Sequence, residues 1–336
     1  MNLAIESLKE SIIKSNNIIL VGHINADGDT VSSVLGLTLL LKKLNKNAFA
    51  IFPEKIPDFL KWLPGYNDSL IYSTDKQKVV NIINQSDLLI CLDLNEKKRI
   101  GELAKFIDNK PITKAIIDHH PYPEDYFDII ISEIEVSSTA ELLFSVIEKW
   151  NFTNLIDSNI ATCIFTGILT DTLCFQVNAH RAMTYEIVSK LINYGVDKNL
   201  VHNNVFNSYT ENRMRLVGYA LHKKLKVINK YSTAYIYLSK EELESFNFQI
   251  GDSEGLVNYP LSIKGIKLSG LFLEKQGYIK ISLRSIGDMP VNELLKKHFV
   301  GGGHKNAAGG EAYNMTMEET LQKFENILDE YKQFLQ

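Results

Sequence analysis

A short polar segment at residues 22–29 carries three side chains that can bind a metal ion. It reads Gly-His-Ile-Asn-Ala-Asp-Gly-Asp, which places His23, Asp27 and Asp29 within seven residues. Imidazole nitrogens and carboxylate oxygens are common ligands of divalent metals. Gly28, between the two acids, allows the backbone to turn tightly. These three residues are therefore candidate metal ligands.

The same residue types recur at the ends of other apolar segments. Asp93 follows the apolar run 88–92, Asp118-His119-His120 follows the run 114–117, and Asp171 ends a helical pattern. Taken singly, an aspartate at a strand end is usually a turn or cap residue. A lone histidine is usually a polar surface residue or a core residue with its hydrogen bonds satisfied. Their occurrence together favours one shared site.

The elements around these residues must bring them together. Residues 18–21 are β-branched and aliphatic, which is typical of a strand buried on both faces, and apolar residues recur at helical spacing over 31–44. Strands alternating with helices indicate a doubly wound, mainly parallel sheet, with further strands at 48–52, 70–72, 88–92, 114–117 and 127–131. Because parallel strands place their carboxyl ends at one edge, the opening segment, Asp93 and the triplet can converge there. Asp171, at a helix end, depends on the fold to reach them.

A cluster of buried carboxylates requires a cation, because like charges raise one another's pKa. Two divalent ions carry as many positive charges as Asp27, Asp29, Asp93 and Asp171 carry negative ones. Mixed carboxylate and imidazole ligation favours Mn²⁺, with Mg²⁺ the second choice and Zn²⁺ and Fe²⁺ left open. Paired ions clamp the attacking and leaving oxygens in phosphoryl transfer.

The chain changes character after residue 194. Residues 195–223 are polar and helical, and beyond them two alternating runs flank Gln276-Gly277, a hairpin signal. We predict an N-terminal α/β domain at 1–194, a helical linker at 195–223, and a smaller C-terminal α/β domain with a mixed sheet at 224–336.

A glycine-rich segment in the C-terminal part could bind phosphate. Residues 301–310 begin with three glycines, and His304 follows the third. We interpret this segment as a loop whose backbone N–H groups are open to an anion. Arg284 lies shortly before it on the polar face of a strand, and arginine suits forked phosphate contacts. The alternatives are a flexible turn and a solvated arginine.

The composition narrows the class of protein. A net charge of −4 over 336 residues argues against coating nucleic acid through bulk charge. Three cysteines without C-x-x-C spacing suit a reducing compartment, and there is no apolar run of membrane-spanning length. We expect a cytoplasmic protein that makes no membrane contact.

The motifs together resemble those of the DHH phosphoesterases. The segments that carry the resemblance are 22–29, Leu92-Asp93, Ile117-Asp118-His119-His120 and Thr170-Asp171-Thr172. Residues 302–309 resemble the signature of the DHHA1 domain that follows in one branch. The length, without added domains, is similar to that of the stand-alone nano-RNase/pAp phosphatase group. The departures are Ala26, where proline is common, Val300, in place of a first glycine, and Leu173-Cys174, where a glycine is usual. None removes a proposed ligand.

The resemblance implies a role for each matching residue. One metal ion would be held by His23, Asp27 and Asp93, and the other by Asp29, Asp93, His119 and Asp171, with Asp93 bridging. His120 would face the scissile phosphate, and Asp118 would orient the site. Five residues would grip the far phosphate or nucleotide end of the substrate: Arg284, Gly302, Gly303, His304 and Asn306.

The resemblance also implies a function. The expected protein is a two-metal phosphohydrolase that cleaves very short RNA or DNA oligonucleotides to mononucleotides and 3′-phosphoadenosine 5′-phosphate (pAp) to AMP, with the C-terminal domain acting as a ruler across an interdomain cleft. Three alternatives stay open: a phosphodiesterase for signalling dinucleotides such as pApA, pGpG or cyclic di-AMP, an exopolyphosphatase or pyrophosphatase, and a non-catalytic nucleotide-binding module. A homodimer is a family-level expectation without support in the residues themselves.

Overall fold

Residues 1–108, 110–249 and 251–336 are described by the computed structural model. They divide into two compact units, Met1–Ser208 and Tyr209–Gln336. The segment 195–223, predicted as a linker, contributes one helix to each unit, Lys198–Phe206 to the first and Glu211–Tyr219 to the second. Each unit is described below by itself.

The described part of the first unit contains a six-stranded sheet in which all neighbouring strands are parallel. Its strands are β1 (Asn17–Val21), β2 (Asn47–Phe52), β3 (Leu70–Ile71), β4 (Leu88–Leu92), β5 (Thr113–Asp118) and β6 (Ile129–Ser132). The spatial order is β3-β2-β1-β4-β5-β6, so the direction of winding reverses between β1 and β4. This confirms the predicted doubly wound sheet. The third strand is shorter than the predicted 70–72, because Tyr72 already begins a helix.

Helices cover both faces of this sheet. They are α1 (Asn2–Lys14), α2 (Gly28–Lys43), α3 (Tyr72–Gln85), α4 (Ala104–Ile107), α5 (Thr139–Lys149), α6 (Ser158–Asp171), α7 (Ala182–Asn193) and α8 (Lys198–Phe206). In β1, Ile18 and Leu20 pack into the core beneath α1, α2, α5 and α6, whereas Ile19 and Val21 pack into the core beneath α3 and α4. This period-2 division into two apolar cores explains the continuous apolar run.

Two glycines allow α6 to pack tightly against its neighbours α2 and α5. A Cβ atom on Gly28 would lie 2.4 Å from Thr170 Oγ1, and one on Gly167 would lie 2.5 Å from Ala140 Cβ. Any larger residue would push the helices apart. The close packing brings Asp171, the last residue of α6, toward the start of α2.

The described part of the second unit contains a mixed six-stranded sheet with the order β11-β12-β10-β9-β8-β7. Its strands are β7 (Leu225–Ile228), β8 (Thr233–Leu238), β9 (Leu268–Lys275), β10 (Tyr278–Ser285), β11 (Val300–His304) and β12 (Ala307–Tyr313). Only the β8–β9 pair is parallel among these strands. The helices are α9 (Glu211–Tyr219), α10 (Lys240–Ser245), α11 (Val291–His298), α12 (Met317–Ile327) and α13 (Lys332–Leu335). Within the described ranges, no helix of either unit has the length and apolar character needed to span a bilayer.

The prediction of a loop at 301–310 was wrong. The residues form two antiparallel strands, β11 and β12, in which Gly301 pairs with Gly310 and Gly303 with Ala308. A Cβ on Gly301 would lie 2.4 Å from the Gly309 carbonyl oxygen, so glycine is what permits this close pairing. Glycine's low strand propensity therefore misleads at this position.

Candidate metal centre and phosphate-binding face

The candidate ligands of the first unit lie at the carboxyl ends of three neighbouring strands. His23 follows β1, Asp93 follows β4, and Asp118 is the last residue of β5. The strand order reverses between β1 and β4, and ligands of doubly wound sheets bind in the crevice at such a point. The topology thus brings the segment 22–29, Asp93 and the triplet to one place.

His23 presents one ring nitrogen to two carboxylates. Its Nδ1 lies 2.7 Å from the carbonyl oxygen of Ile24. Because a carbonyl oxygen can only accept, Nδ1 carries the proton in the neutral ring and Nε2 keeps its lone pair. Nε2 lies 3.5 Å from Asp93 Oδ2 and 3.9 Å from Asp27 Oδ2, and it is buried without a hydrogen bond in the described structure. This is the tautomer that binds a metal through Nε2.

Asp27 serves the adjacent helix with one oxygen. As the residue that caps α2, it accepts the Thr30 N–H through Oδ1 at 3.0 Å. That bond fixes the carboxylate, because Thr30 lies in the first turn of the helix. The other oxygen, Oδ2, faces His23.

Asp29 is held by the start of α5. Its Oδ2 accepts the Thr139 N–H at 2.6 Å, and its Oδ1 accepts the Ala140 N–H at 2.9 Å. These are free N–H groups of a helix N-terminus, which favours negative charge. Burial and the neighbouring carboxylate of Asp93 nevertheless hold the pKa of Asp29 well above its usual range. A cation beside these carboxylates would remove that conflict.

Asp93 faces a different histidine with each oxygen. Its Oδ2 lies 3.5 Å from His23 Nε2, and its Oδ1 lies 3.6 Å from His119 Nε2. The hydroxyls of Thr30 and Thr139 donate to the same two oxygens at 2.6 and 3.0 Å. Burial acts to raise the pKa of Asp93, but the histidines outweigh it and the pKa lies well below its usual range. Asp93 therefore lies between the group of residues around His23 and the group around His119.

His119 lies among three aspartates. Its Nε2 is 3.6 Å from Asp93 Oδ1, 3.7 Å from Asp171 Oδ2 and 3.9 Å from Asp29 Oδ2. Burial acts to lower the pKa of His119, and the carboxylates, Asp171 above all, more than offset it, so the pKa is raised. The structure thus brings Asp171, from the end of α6, into the cluster.

The donor set fits two divalent cations. The ligand atoms of His23, Asp27 and Asp93 lie within 4.8 Å of one another, and so do those of Asp29, His119 and Asp171. Two ligands about 2.1–2.2 Å from one ion are separated by roughly 3.0–3.7 Å at ordinary angles, close to the distances here. The unpartnered Nε2 of His23 is the atom that such an ion would satisfy.

Asp118 orients His120 rather than joining either cluster. His120 Nδ1 donates to Asp118 Oδ1 at 2.8 Å, and Asp118 is fully buried. A buried carboxylate that accepts from Nδ1 fixes the orientation of the ring. Nε2 is thereby directed away from Asp118.

In the second unit, Arg284 and His304 share one face of the sheet. Arg284 pairs with Ala307 across β10 and β12, and Ala307 pairs with His304 across β12 and β11. Directly opposed residues point to the same side, so the two side chains flank a small alanine, with roughly 10 Å between their Cα atoms. Gly302 lies on the same face, where a Cβ would have no neighbour within 4 Å. This surface of small residues between two basic side chains can accept a phosphate.

The other two predicted substrate contacts are placed differently. Gly303 belongs to the opposite side of β11, where a Cβ would lie 2.7 Å from the Ala307 carbonyl oxygen. Asn306 uses both hydrogens of its amide internally, on Ser285 Oγ at 2.8 Å and on the Gly287 carbonyl at 2.9 Å. The contact of Gly303 and Asn306 with substrate stays a prediction. Because both amide hydrogens of Asn306 are used within the protein, its amide oxygen is the atom that would contact the substrate.

Comparison with known families matches residues 17–168 to the DHH family, N-terminal domain, and residues 230–336 to the DHHA1 domain. The crystal structure of an exopolyphosphatase-related protein from Bacteroides fragilis is 41% identical to this chain, with a TM-score of 0.94. The match covers 100% of this chain and 98% of that one. The chain belongs to the DHH family.

Two curated relatives of this DHH chain have named activities. A probable bifunctional oligoribonuclease and PAP phosphatase, NrnA, from Streptococcus mutans is 27% identical, over 97% of this chain and 99% of the relative. The cyclic-di-AMP phosphodiesterase GdpP from Bacillus subtilis is 26% identical, over 97% of this chain but 49% of the relative. This chain spans about half the length of the second relative.

The chain turns sharply after Asp171. Leu173, Cys174 and Phe175 adopt φ angles of 47°, 58° and 65°, a left-handed turn of the kind that glycine adopts most easily. Such angles cost a non-glycine residue about 1 kcal/mol each. The buried hydroxyl of Thr172 helps to hold the turn by accepting the Phe175 N–H at 3.0 Å.

Sequence reasoning missed Arg99, which touches the DHH triplet. Its Nη1 donates to His120 Nε2 at 3.2 Å. Arg99 ends the basic run Lys97-Lys98-Arg99, which the sequence alone does not distinguish from solvated surface. The signal that could have found it is its position, six residues after Asp93 and so close to the end of β4.

Proposed function

We propose that this DHH-family chain is a two-metal phosphohydrolase that cleaves very short oligonucleotides to mononucleotides and pAp to AMP. The observation that carries the proposal is Asp93, whose two oxygens face two different histidines at 3.5 and 3.6 Å. One carboxylate between two ligand clusters is the arrangement of a bridged pair of ions. The full-length similarity to the S. mutans relative supports the substrate class.

The proposed ligands follow the two clusters. His23, Asp27 and Asp93 would hold one ion. Asp29, His119 and Asp171 would hold the other, together with Asp93, whose Oδ1 faces His119. When bound, such ions supply a lowered pKa for the attacking water and positive charge beside the phosphoryl oxygens. We propose Mn²⁺, because two imidazoles among the ligands suit it better than Mg²⁺.

The remaining residues of the site act on the substrate. His120, oriented through Nδ1 by the buried Asp118, faces the scissile phosphate with Nε2. At that position the ring contacts the phosphoryl oxygens over which negative charge spreads in the transition state. Asp118 is necessary for this role, because its hydrogen bond to Nδ1 fixes the orientation of the ring.

The DHHA1 domain supplies substrate recognition in this proposal. Arg284 and His304 bind a phosphate or nucleotide end other than the phosphate that is hydrolysed, and the open backbone at Gly302 allows close approach. Gly303 and Asn306 support this surface. A chain that recognises one extra phosphate favours substrates of very few nucleotides, of which pAp is the shortest.

A second candidate is a phosphodiesterase for signalling dinucleotides such as pApA, pGpG or cyclic di-AMP. The observation that favours it is the match with GdpP over 97% of this chain. The same ligands and the same phosphate-binding face would serve both activities, so the difference lies in the preferred substrate. In either case the three free cysteines suit a reducing compartment, and we propose the cytoplasm.

A chromatographic assay over one substrate panel tests these proposals. The purified chain is incubated with Mn²⁺ or Mg²⁺ and with pAp, pApA, pGpG, cyclic di-AMP, RNAs of two to five nucleotides, or pyrophosphate. We expect mononucleotides from the short RNAs and AMP from pAp, with faster turnover in Mn²⁺. A chelator should abolish product formation, and adding the metal back should restore it.

The other outcomes separate the alternatives. A strong preference for pApA, pGpG or cyclic di-AMP over pAp and the RNAs would favour the signalling phosphodiesterase. Hydrolysis of pyrophosphate alone would favour a pyrophosphatase and would contradict the proposal. Nucleotide binding without any metal-dependent product would make the chain a binding module.

A further inference from the structure

Arg99 contributes a positive charge to a site rich in aspartates. Its side chain is half-buried, and its Nη1 donates to His120 Nε2 at 3.2 Å. In the described ranges no carboxylate oxygen lies within 4.0 Å of its guanidinium. By contrast, the preceding lysines are paired, Lys97 with Asp108 at 3.0 Å and Lys98 with Glu96 at 2.5 Å. Arg99 therefore keeps donors for an anion that the protein itself does not supply.

The backbone of Arg99 is fixed to the metal-binding segment. Its carbonyl oxygen accepts the N–H of Ile24, the residue after His23, at 2.8 Å. Gly101, two residues later, has a φ of 61°, and a Cβ there would lie 3.0 Å from Ile24 Cγ2. These contacts place the Arg99 backbone beside the candidate ligands, and the contact with His120 places its guanidinium.

The segment that carries Arg99 is also tied to the segment after the DHH triplet. Asn95 Nδ2 donates to the Pro121 carbonyl at 2.7 Å, and the Glu124 N–H donates to the Asn95 carbonyl at 2.8 Å. The Glu124 carboxylate in turn accepts the Lys97 N–H at 2.6 Å. Arg99 and His120 are thus held on two loops that support one another.

The contact between Arg99 and His120 indicates what the guanidinium does. A guanidinium can only donate, so Nε2 of His120 accepts, while Nδ1 donates to Asp118. A phosphate oxygen is a stronger acceptor for arginine than a neutral imidazole, and the planar fork can hold two such oxygens. A phosphate that reaches His120 would therefore compete for the same guanidinium.

We propose that Arg99 is a phosphate-binding residue of the catalytic unit. Before the substrate binds, its guanidinium holds His120 through Nε2. When the phosphate enters, a non-bridging phosphate oxygen replaces His120 Nε2 as the acceptor of the guanidinium. The inference rests on the proposed function in one respect, the position of His120 beside the scissile phosphate.

Binding of inorganic phosphate tests the proposal without turnover. Titration calorimetry is performed in the presence of Mn²⁺ on the Arg284→Gln protein, so that the phosphate-binding face of the second unit contributes little. Adding Arg99→Gln should weaken phosphate binding roughly 10- to 100-fold, the usual effect of losing a charge-assisted contact. Arg99→Lys should have a phosphate affinity between those of the parent and of Arg99→Gln, because lysine keeps the positive charge but lacks the planar guanidinium. Lys98→Gln, a neighbouring change of charge on an exposed side chain, should stay within about twofold of its parent.

Steady-state kinetics on the substrate that the wild type cleaves best provides the second readout. Arg99→Gln should raise KM more than Lys98→Gln does, and Arg99→Lys should restore part of the loss. Equal phosphate affinity and equal KM in Arg99→Gln and Lys98→Gln would overturn the inference while leaving the proposed function intact. Absence of phosphate binding to the Arg284→Gln parent would overturn it as well. If phosphate binding depends on Arg99 but no nucleotide is cleaved, the inference stands and the proposed function fails.

Discussion

The backbone of Asp93 has a φ of 64°, in the left-handed region that few side chains occupy easily. Aspartate and asparagine tolerate this region better than other non-glycine residues do. The conformation lies directly after β4, where the carboxylate is directed between His23 and His119 and receives the hydroxyls of Thr30 and Thr139. The backbone and both hydroxyls therefore fix the carboxylate that the two clusters share.

We predict that Asp93→Asn abolishes turnover without unfolding the chain. Asparagine keeps the shape and the left-handed backbone but removes the negative charge. Losing the shared ligand should lower kcat/KM by roughly 10³-fold or more, as expected for the loss of several kcal/mol of transition-state stabilisation. Mn²⁺ binding, followed by electron paramagnetic resonance, should weaken in parallel.

The control is Asp68→Asn, which removes an exposed carboxylate paired with Lys42. It should leave kcat/KM and Mn²⁺ binding close to those of the wild type. Hydrolysis by Asp93→Asn at more than about a tenth of the wild-type rate would contradict a centre bridged by Asp93.

The individual ligands were easier to find in the sequence than the residues that support them. His23, Asp27 and Asp29 stand together in seven residues after an apolar run, so a local pattern was sufficient. Arg99 contacts a partner 21 residues away, in a loop whose path depends on hydrogen bonds to two other segments. No sequence spacing predicts such a contact between loops, so the contact of Arg99 with His120 could be found only in the structure.

At the scale of elements, α5 has a structural role that its sequence only partly revealed. Ser138 accepts the Glu141 N–H, as expected for the start of a capping box with the pattern Ser-x-x-Glu. The Glu141 carboxylate, however, accepts from the N–H and hydroxyl of Ser137 and from the hydroxyl of Thr184. The free N–H groups of the helix start are taken by Asp29, from another helix. A candidate metal ligand therefore completes the cap, which a local motif cannot predict.

We predict that Gly167→Ala destabilises the first unit. In α6 the added methyl would meet Ala140 Cβ at 2.5 Å and Asp29 Oδ1 at 2.8 Å. Overpacking of this kind costs about 1–3 kcal/mol, more than the gain in helix propensity from alanine. Urea unfolding followed by circular dichroism should show a lower midpoint, and activity should fall because Asp29 is displaced.

Gly218→Ala provides the matched control, since it makes the same substitution in a helix. A Cβ at Gly218 in α9 would have nothing within 4 Å, so alanine there should stabilise the helix by about 0.5–1 kcal/mol. A Gly167→Ala protein as stable as Gly218→Ala would show that α6 can move without penalty, contrary to the packing.

At the scale of the whole molecule, each unit has apolar cores of its own. Strands alternating with helices were sufficient to predict the doubly wound first unit, because both faces of its sheet are buried and the pattern is continuous. The second unit was harder, since β11 and β12 contain five glycines and too few apolar residues to indicate strands. Their register became clear only in the structure, and with it the pairing that places Arg284 and His304 on one face.

We predict that Arg284→Gln separates recognition of the substrate from hydrolysis. If the second unit binds a phosphate that is not cleaved, losing Arg284 should raise KM for pAp and short RNAs roughly 10- to 100-fold. An aryl phosphodiester such as bis(p-nitrophenyl) phosphate carries no second phosphate, so its KM should change by less than about twofold. Steady-state kinetics with both substrates in Mn²⁺ measures the difference.

The control for Arg284 lies on the same strand. Lys280 projects from the same face of β10, four residues and roughly 13 Å away, so Lys280→Gln removes an equal charge from the sheet without touching the rows that hold Arg284 and His304. It should change KM for pAp by less than about twofold. If both variants raise KM equally, the unit attracts nucleotides through general charge. If Arg284→Gln impairs the aryl diester as much as pAp, Arg284 acts in hydrolysis itself, and the proposed division between the two units is wrong.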